Sequence, residues 1–405
     1  MDRNTFDIAI VGGGPVGLTL ALALARSMAG LRIALLDRRP FNAAVDRRAS
    51  AIGAGARRAF EALGVWSKVS GEAEPVRQMK ITDSGAGDLS RPLFLRFEGE
   101  VAPGEPIAHL VPNTVLNGAL LEALGERASL LAPVEVAGFA GTGQTAEIAL
   151  RDGRVVEAAL VVAADGGRSA MRDFAGIGTI EHDYRQVGIV TTIAHELPHE
   201  GVAYEHFRPA GPFASLPLRG NRSSLVWTET RETAERIKAL PLDEVAAEIE
   251  AVMGSSLGAV TLEEPVQAFP LALRLAKEFV APRLALVGDA AHVIHPVAGQ
   301  GLNLGLKDAA ALAEVVIEAL RLGLDPGAAD ILEKYQRWRR LDTALMAAVT
   351  DGMTRLFSND VAPVRALRDF GLGVVDRLPP VKDFLVSRAA GIDRAGPKLL
   401  RGLPV

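Results

Sequence analysis

Asp7-Ile8-Ala9-Ile10-Val11-Gly12-Gly13-Gly14-Pro15-Val16-Gly17 opens the chain with an apolar run, a cluster of glycines and the start of a helix. Phe6 to Val11 reads as a buried parallel strand, since a continuous apolar run leaves no polar face for solvent. An alanine- and leucine-rich helix is expected to reach about Ala29, and Arg32 to Leu36 supplies the next strand. In such a strand, helix and strand unit, Gly12 permits a tight turn, Gly14 lets backbone approach a pyrophosphate, and Gly17 brings the helix close to the strand. Free amides at the helix N-terminus favour the phosphate charge. Asp37 closes the second strand, where a carboxylate accepts both hydrogen bonds of an adenosine ribose. Arg38 reads equally as an adenine or phosphate contact and as an exposed neighbour of Asp37.

Working outward, a helix is expected from about Ser50 to Leu63, with Gly64 as its cap. From Val76 to Leu110 short alternating runs broken by glycine and proline predict antiparallel strands. Val115 to Leu124 returns to helix. Val134 to Ala164 reads as strands joined by turns at Gly141-Thr142-Gly143 and Asp152-Gly153. Arg185 to Gln267 is again strand-like, interrupted by an amphipathic helix near Leu242 to Met253, and Leu284 to Val287 resumes a buried strand. Helices are expected over Lys307 to Leu320 and Ala329 to Val349. The fold class is therefore α/β: a Rossmann-like dinucleotide-binding domain (1–75, 111–180 and 271–340) interleaved with a mainly antiparallel β-sheet domain for substrate (76–110 and 181–270). A helical C-terminal region (341–405) closes the chain.

The 405 residues, 49% of them hydrophobic, suffice for a large core. A formal charge of -5, with both signs mixed along the chain, argues against an extended nucleic-acid surface. The chain has no cysteine, which excludes disulfides and thiolate chemistry and suits a reducing compartment. The N-terminus enters a strand at once, without the order of segments that marks a secretory signal, so a cytoplasmic location is expected.

A second passage lies far from the first: Leu284-Ala285-Leu286-Val287-Gly288-Asp289-Ala290-Ala291-His292, running into His295-Pro296-Val297-Ala298-Gly299-Gln300-Gly301-Leu302-Asn303-Leu304-Gly305. Gly288-Asp289 at a strand end can place a carboxylate beside a polyol. Gly299 to Asn303 offers backbone donors where a helix begins, suited to negative charge on a reduced isoalloxazine. Together the two passages read as the ends of one flavin dinucleotide site. His292 and His295 invite a metal or proton-transfer role, but no third ligand follows at a recognised spacing; loop hydrogen bonding is the expectation, and no metal is expected. Asp165-Gly166 sits on a further strand-to-turn passage.

These residues resemble the FAD-dependent aromatic monooxygenases of the para-hydroxybenzoate hydroxylase fold, and more narrowly the ubiquinone-biosynthesis hydroxylase family. The resemblance covers nearly the whole chain. It rests on Gly12 to Gly17, on Asp165-Gly166 with Arg172, and on Gly288 through Gly305. The narrower likeness adds Ser224-Leu225-Val226-Trp227-Thr228, Phe269-Pro270-Leu271 and a tail containing Tyr335, Trp338-Arg339-Arg340, Asp342, Asp351-Gly352 and Leu356-Phe357-Ser358. It implies that Asp289 binds the ribityl or pyrophosphate region of FAD, while Pro296, Gly299, Gln300, Gly301, Leu302 and Asn303 line the isoalloxazine. Arg47, with Arg48 as its rival, and Asn113 are implied to approach the flavin; Asp165 is implied to serve the pyrophosphate and the reductant, with Arg168 or Arg172 as lesser contributors. No residue is assigned as acid or base, because reduced flavin activates oxygen itself.

The implied reaction uses NAD(P)H and O2 to hydroxylate the ring of a polyprenylated phenol in ubiquinone biosynthesis. Trp227 and Phe269 are expected in the substrate pocket. A ubiquinone-pathway protein complex and peripheral contact with the inner membrane are the implied partners, Arg339, Arg340 and the apolar tail being the candidates against ordinary packing with solvated arginines. An FAD-dependent hydroxylase of another aromatic compound, or an FAD-dependent reductase, are the rival functions.

Overall fold

A computed structural model gives the structure of the chain and describes residues 3–41, 46, 48–84, 93–98, 100–296, 299–357, 390–393 and 395–405. In chain order, β1 (Arg3–Val11), α1 (Pro15–Ser27) and β2 (Ile33–Leu36) make the expected opening unit. β3 (Ala49–Gly53) and α2 (Ala54–Ala62) follow, then β4 (Ala108–Pro112) and α3 (Asn113–Leu124). Next come β5 (Val155–Ala163), the long β6 (Thr179–His195), β7 (Val202–Phe207), β8 (Phe213–Leu218) and β9 (Arg222–Thr230). α4 (Arg231–Ala239), α5 (Leu242–Met253), β10 (Gln267–Ala276) and β11 (Leu284–Leu286) lead to α6 (Gln300–Arg321) and α7 (Ala329–Phe357).

β2, β1, β5 and β11 lie side by side and parallel: Val11 pairs with Leu36 and with Ala163, and Ala163 with Leu286. Parallel pairing puts all their carboxyl ends on one edge. The residues that follow those ends, Gly12, Asp37, Ala164-Asp165 and Gly288-Asp289, therefore converge from four separate parts of the chain. Both faces of this sheet are covered toward the carboxyl ends of its strands, which are buried there: Ile8, Ile10, Leu35, Val162 and Ala285 have no exposed surface.

A second sheet is built on β6, which pairs antiparallel with β9 on one side and β10 on the other. β8 and β7 continue it beyond β9, and β7 runs parallel to Gln78–Asp83. One face of this sheet packs on α4 and α5 through Val187, Ile189, Leu225 and Trp227. The other face looks back toward the parallel sheet.

The expectation of helix from Ser50 is corrected at its start. Ala49–Gly53 is a strand because it pairs antiparallel with β4, Ser50 with Val111 and Ile52 with His109; the helix begins only at Ala54. α4 was not anticipated, although Thr230 caps it by accepting from the Thr233 amide at 3.2 Å. Among the described residues no helix is long and apolar enough to cross a membrane.

Candidate active site

The glycine turn shows why each position lacks a side chain. At Gly12, with φ +117°, a Cβ would meet the Ala164 carbonyl oxygen at 2.2 Å, and at Gly17 it would meet the Gly12 oxygen at 2.0 Å. At Gly14 it would meet nothing within 4 Å, because that position opens into the cleft. Two of the glycines thus serve close backbone packing and the third leaves room. Asp37 accepts from the amides of Gly13 and Arg39, each at 2.7 Å, which fixes its carboxylate beside the turn. Arg38 is exposed and borders the same end of the cleft.

Asp165 follows β5 and also borders the cleft. Its Oδ2 accepts from the Met171 amide at 3.2 Å, while Oδ1 is buried without a hydrogen-bond partner among the described residues. Burial raises its carboxyl pKa. Asp289 turns outward into the cleft from the short turn after β11. Protein surrounds it on the other sides, so burial raises its pKa too, against the pull of His292 and Arg48.

The turn that carries Asp289 is anchored from behind. Asp308, fully buried on α6, accepts from the Gly288 amide at 3.0 Å, pairs with His292 Nε2 at 2.5 Å and accepts from Arg339 Nε at 2.7 Å. Burial alone would raise the Asp308 pKa, but His292 and Arg339 outweigh it and hold it below the usual carboxylate value. Arg339, at 0% exposure, also donates to Asp342 at 2.7 Å, to which Lys307 pairs at the same distance. Neither sequence expectation for Arg339, a solvated side chain or a surface for partners, holds; it is part of the core. Arg340 is exposed and pairs with Glu278.

His295 departs from the loop hydrogen bonding expected of it. It is fully buried, neither ring nitrogen has a partner among the described residues, and its ring stands edge-on to Tyr184 at 5.0 Å. Burial lowers its pKa to about 4. His292 does take the expected hydrogen bond, to Asp308.

At the N-terminus of α6, Gly299 (φ +62°) precedes the helix, and Pro296, Gly299, Gln300, Gly301, Leu302 and Asn303 border the cleft. The Asn303 side chain is spent on structure: its Oδ1 accepts from the Gly53 amide at 2.9 Å and its Nδ2 donates to the Ala51 oxygen at 2.8 Å. It ties β3 to α6 across the cleft floor. Asn113, at the start of α3, accepts from Ser50 Oγ at 2.6 Å and donates to Asp46 at 2.9 Å. Asp46 in turn pairs with Arg48 at 2.8 Å. Burial works against the Asp46 carboxylate, but Arg48 and Asn113 outweigh it and lower its pKa. Arg48 then stands over the Phe269 ring at 5.4 Å. Arg47 lies outside the described residues.

These groups border one cleft of about 1080 Å³. That exceeds the roughly 300–1,000 Å³ usual for a ligand pocket, leaving space for more than one bound molecule. One end is the glycine turn with Asp37; the other is the cleft-facing side of the second sheet, with Gly188, Val190, Leu216, Val226, Phe269 and Leu271. Phe269 is therefore where it was expected. Trp227 is not: side chains alternate along β9, so Ser224 and Val226 face the cleft while Leu225 and Trp227 face α4 and α5. Trp227 is 3% exposed, packs edge-on to Phe213 and donates to Glu229 at 3.0 Å. It is withdrawn from the pocket.

Comparison with known proteins agrees with this arrangement. The FAD binding domain family model matches residues 5–349. A ubiquinone hydroxylase of Rhodospirillum rubrum is 44% identical over 98% of this chain and 93% of its own length. The chain belongs to the ubiquinone hydroxylase family of FAD-binding proteins. The 3-demethoxyubiquinol 3-hydroxylase of Escherichia coli is 34% identical, covering 97% of this chain and all of the relative. The solved structure of p-nitrophenol 4-monooxygenase from Pseudomonas putida aligns with a TM-score of 0.79 over 98% of this chain and 100% of that one, at 20% identity, and shares the fold.

FAD is the cofactor of this family member, and the residues present suit it. The open space at Gly14, the first residues of α6 and Asp165, whose Oδ1 is buried without a hydrogen-bond partner among the described residues, all border the cleft that would hold it. What sequence reasoning missed is the support behind these groups. Asp308 stands twenty residues after Gly288, and only the spacing along α6 hinted that it turns inward.

Proposed function

We propose that this chain uses FAD, NAD(P)H and O2 to hydroxylate the aromatic ring of a polyprenylated phenol in ubiquinone biosynthesis. The observation that carries the reading is the single cleft joining the dinucleotide turn to an apolar sheet face. Gly12 to Gly14 and Asp37 would hold the adenosine and pyrophosphate, Asp289 the ribityl chain, and the first amides of α6 the isoalloxazine. FAD when bound supplies the redox and oxygen-activating chemistry. The task left to the protein is to bind, orient and keep water away, which suits a chamber walled by Val190, Leu216, Val226, Phe269 and Leu271.

Purified protein given FAD, NAD(P)H, oxygen-18 gas and a panel of prenylated phenols tests this directly. A product heavier by one labelled oxygen is expected. A product that gains only hydrogen would instead identify a reductase, and turnover confined to unprenylated phenols would identify a hydroxylase of another aromatic substrate.

A polyprenyl tail partitions into lipid, so the substrate has to be extracted from a membrane surface or handed over by a carrier. Leu341, Leu345 and Val349 recur every fourth residue along α7 and are exposed, Leu341 at 78%. We assign this stripe to peripheral membrane contact. The paired change Leu341→Asp with Leu345→Asp is expected to abolish co-sedimentation with lipid vesicles while leaving FAD bound; unchanged sedimentation would count against it.

A further inference from the structure

The cleft does not stop at the ring chamber. Beyond Leu216 it continues as an arm between two sheets. One wall is the second sheet, with Leu216 on β8, Ala203 on β7 and Met79, which pairs with Ala203. The other wall is a small sheet in which β4 pairs with β3 on one side and with Glu74-Pro75 on the other; Ala108 and Leu110 of β4 border the cleft from it. Val76 joins the walls. Its amide donates to the Ala108 oxygen and the next amide, of Arg77, donates to the Gly201 oxygen just before β7, each at 2.9 Å, which holds the two sheets at a set spacing.

These six residues belong to one apolar cluster. Leu110, Val76 and Ala203 are buried in it, whereas Leu216, Met79 and Ala108 stay half-buried and border the cleft. Small side chains keep the gap open, because alanine stands on both walls where a larger residue would fill the space. None of the six carries a charged group or a hydroxyl, so their side chains offer nothing to a phosphate or an amide, whose burial there would lack hydrogen bonds. The small sheet also reaches the cofactor end of the cleft: Ala51, which pairs with Leu110, lies 3.3 Å from where a Cβ on Gly299 would stand.

We propose that this arm seats the first isoprene units of the substrate's tail, Ala108 and Ala203 leaving room for their branched methyl groups and the later units running out past Met79. This rests on the reading of the chain as a hydroxylase of a prenylated phenol. An isoprenoid chain needs no polar partner, and it gains about fourfold in affinity for each CH2-sized group it buries. Leu216 walls both the ring chamber and the arm. A tail held in the arm therefore fixes the edge from which it leaves the ring, and with it the ring carbon turned toward the N-terminus of α6.

The FAD-loaded enzyme is tested with 2-methylphenol, 2-prenylphenol and 2-geranylphenol, whose tails hold no, one and two isoprene units. Affinities are read by calorimetry without NAD(P)H, and products by labelled oxygen with it. The wild type is expected to bind 2-geranylphenol at least about a hundredfold more tightly than 2-methylphenol, with 2-prenylphenol between them. Ala108→Phe, which fills the arm, should cut that gain to less than about tenfold, with 2-methylphenol bound within about twofold of wild type and FAD content unchanged. Met79→Gln adds no bulk and puts an amide in the path of the tail. It should lower the gain at least about tenfold as well, and it carries the test if Ala108→Phe does not hold FAD. A gain equal to that of the wild type in whichever variant holds FAD would overturn the proposal, the tail then leaving the cleft by another route. So would a wild type that hydroxylates 2-geranylphenol without binding it more tightly than 2-methylphenol. A wild type that hydroxylates 2-methylphenol alone, or none of the three, would instead overturn the reading on which the proposal rests.

Discussion

Two side chains near the cleft differ in what their removal should do. Asp289 projects into the cleft and contributes nothing to the hydrophobic core, so Asp289→Ala is expected to keep its unfolding midpoint without cofactor and to lose FAD occupancy after purification. Equilibrium dialysis checks this, and FAD affinity equal to wild type would remove Asp289 from the cofactor's contacts. His295 acts on the fold instead. Its pKa in the folded chain is lowered from 6.5 to about 4, so it favours the folded state while neutral, and that contribution fades as pH falls below about 6.5 toward 4. At roughly 1.4 kcal/mol per pKa unit, about 2 kcal/mol of it is lost between pH 7 and pH 5. His295→Phe, which cannot protonate, is expected to lose about that much less over the same interval in urea unfolding. Equal losses in both proteins would show that His295 does not titrate this way. The pair also marks what residue type alone conveys: the exposed role of Asp289 follows from its place after a glycine at a strand end, whereas the isolation of His295 depends on Tyr184, more than a hundred positions away.

The strand, turn and helix at the N-terminus is an element whose glycines are not interchangeable. Gly14 has φ −75°, a conformation open to any residue, and no atom within 4 Å of its absent Cβ. Gly14→Ala should therefore unfold within about 0.5 kcal/mol of wild type in the absence of cofactor, yet bind FAD at least about tenfold more weakly, near 1.4 kcal/mol. Gly12→Ala should fail to give stable protein, since its methyl would displace the backbone at Ala164. Thermal unfolding with and without FAD separates the two, and a Gly14→Ala protein that binds FAD normally would refute the assignment of that space. α6 and α7 are joined by the buried pair of Asp308 and Arg339, and Arg339→Met leaves Asp308 without its guanidinium; such a break costs about 3–5 kcal/mol. Chemical unfolding is expected to show it, together with earlier loss of FAD, because Asp308 also holds the Gly288 amide. The opening unit and the later Gly288-Asp289 passage were legible in the sequence because each is a local pattern with its own chemistry. Ala49–Gly53 was not: an alanine- and glycine-rich stretch running into a helix becomes a strand only through Val111 and His109, some sixty positions on. Nor was the face of Trp227, since alternation along β9 fixes which residues share a side but the packing of α4 and α5 decides which side is the core.

Over the whole molecule, two sheets with different tasks share one cavity. The parallel sheet gathers Gly12, Asp37, Asp165 and Asp289 on a common edge, and the second sheet turns Val190, Ala214 and Val226 toward them. On the proposed reading cofactor and substrate would meet in this shared cavity, and the two kinds of binding should then be separable by substitution. Val190 lies mid-sheet on β6, with its side chain on the cleft and none of the cofactor-facing groups among its strand partners Val226 and Gln267. Val190→Phe adds bulk to the chamber without entering the packed core on the other face, where Ile189 lies. FAD occupancy should stay at the wild-type level, and affinity for a prenylated phenol should fall at least about tenfold, or 1.4 kcal/mol. Oxidation of NAD(P)H that continues in this variant should then deliver its electrons to peroxide rather than to hydroxylated product, since the ring no longer reaches its place. Measuring FAD content, NAD(P)H consumption and labelled product on one preparation resolves the three effects. Loss of FAD in step with loss of product would mean that the cofactor extends across Val190, and the division of the cleft between the two sheets would have to be redrawn.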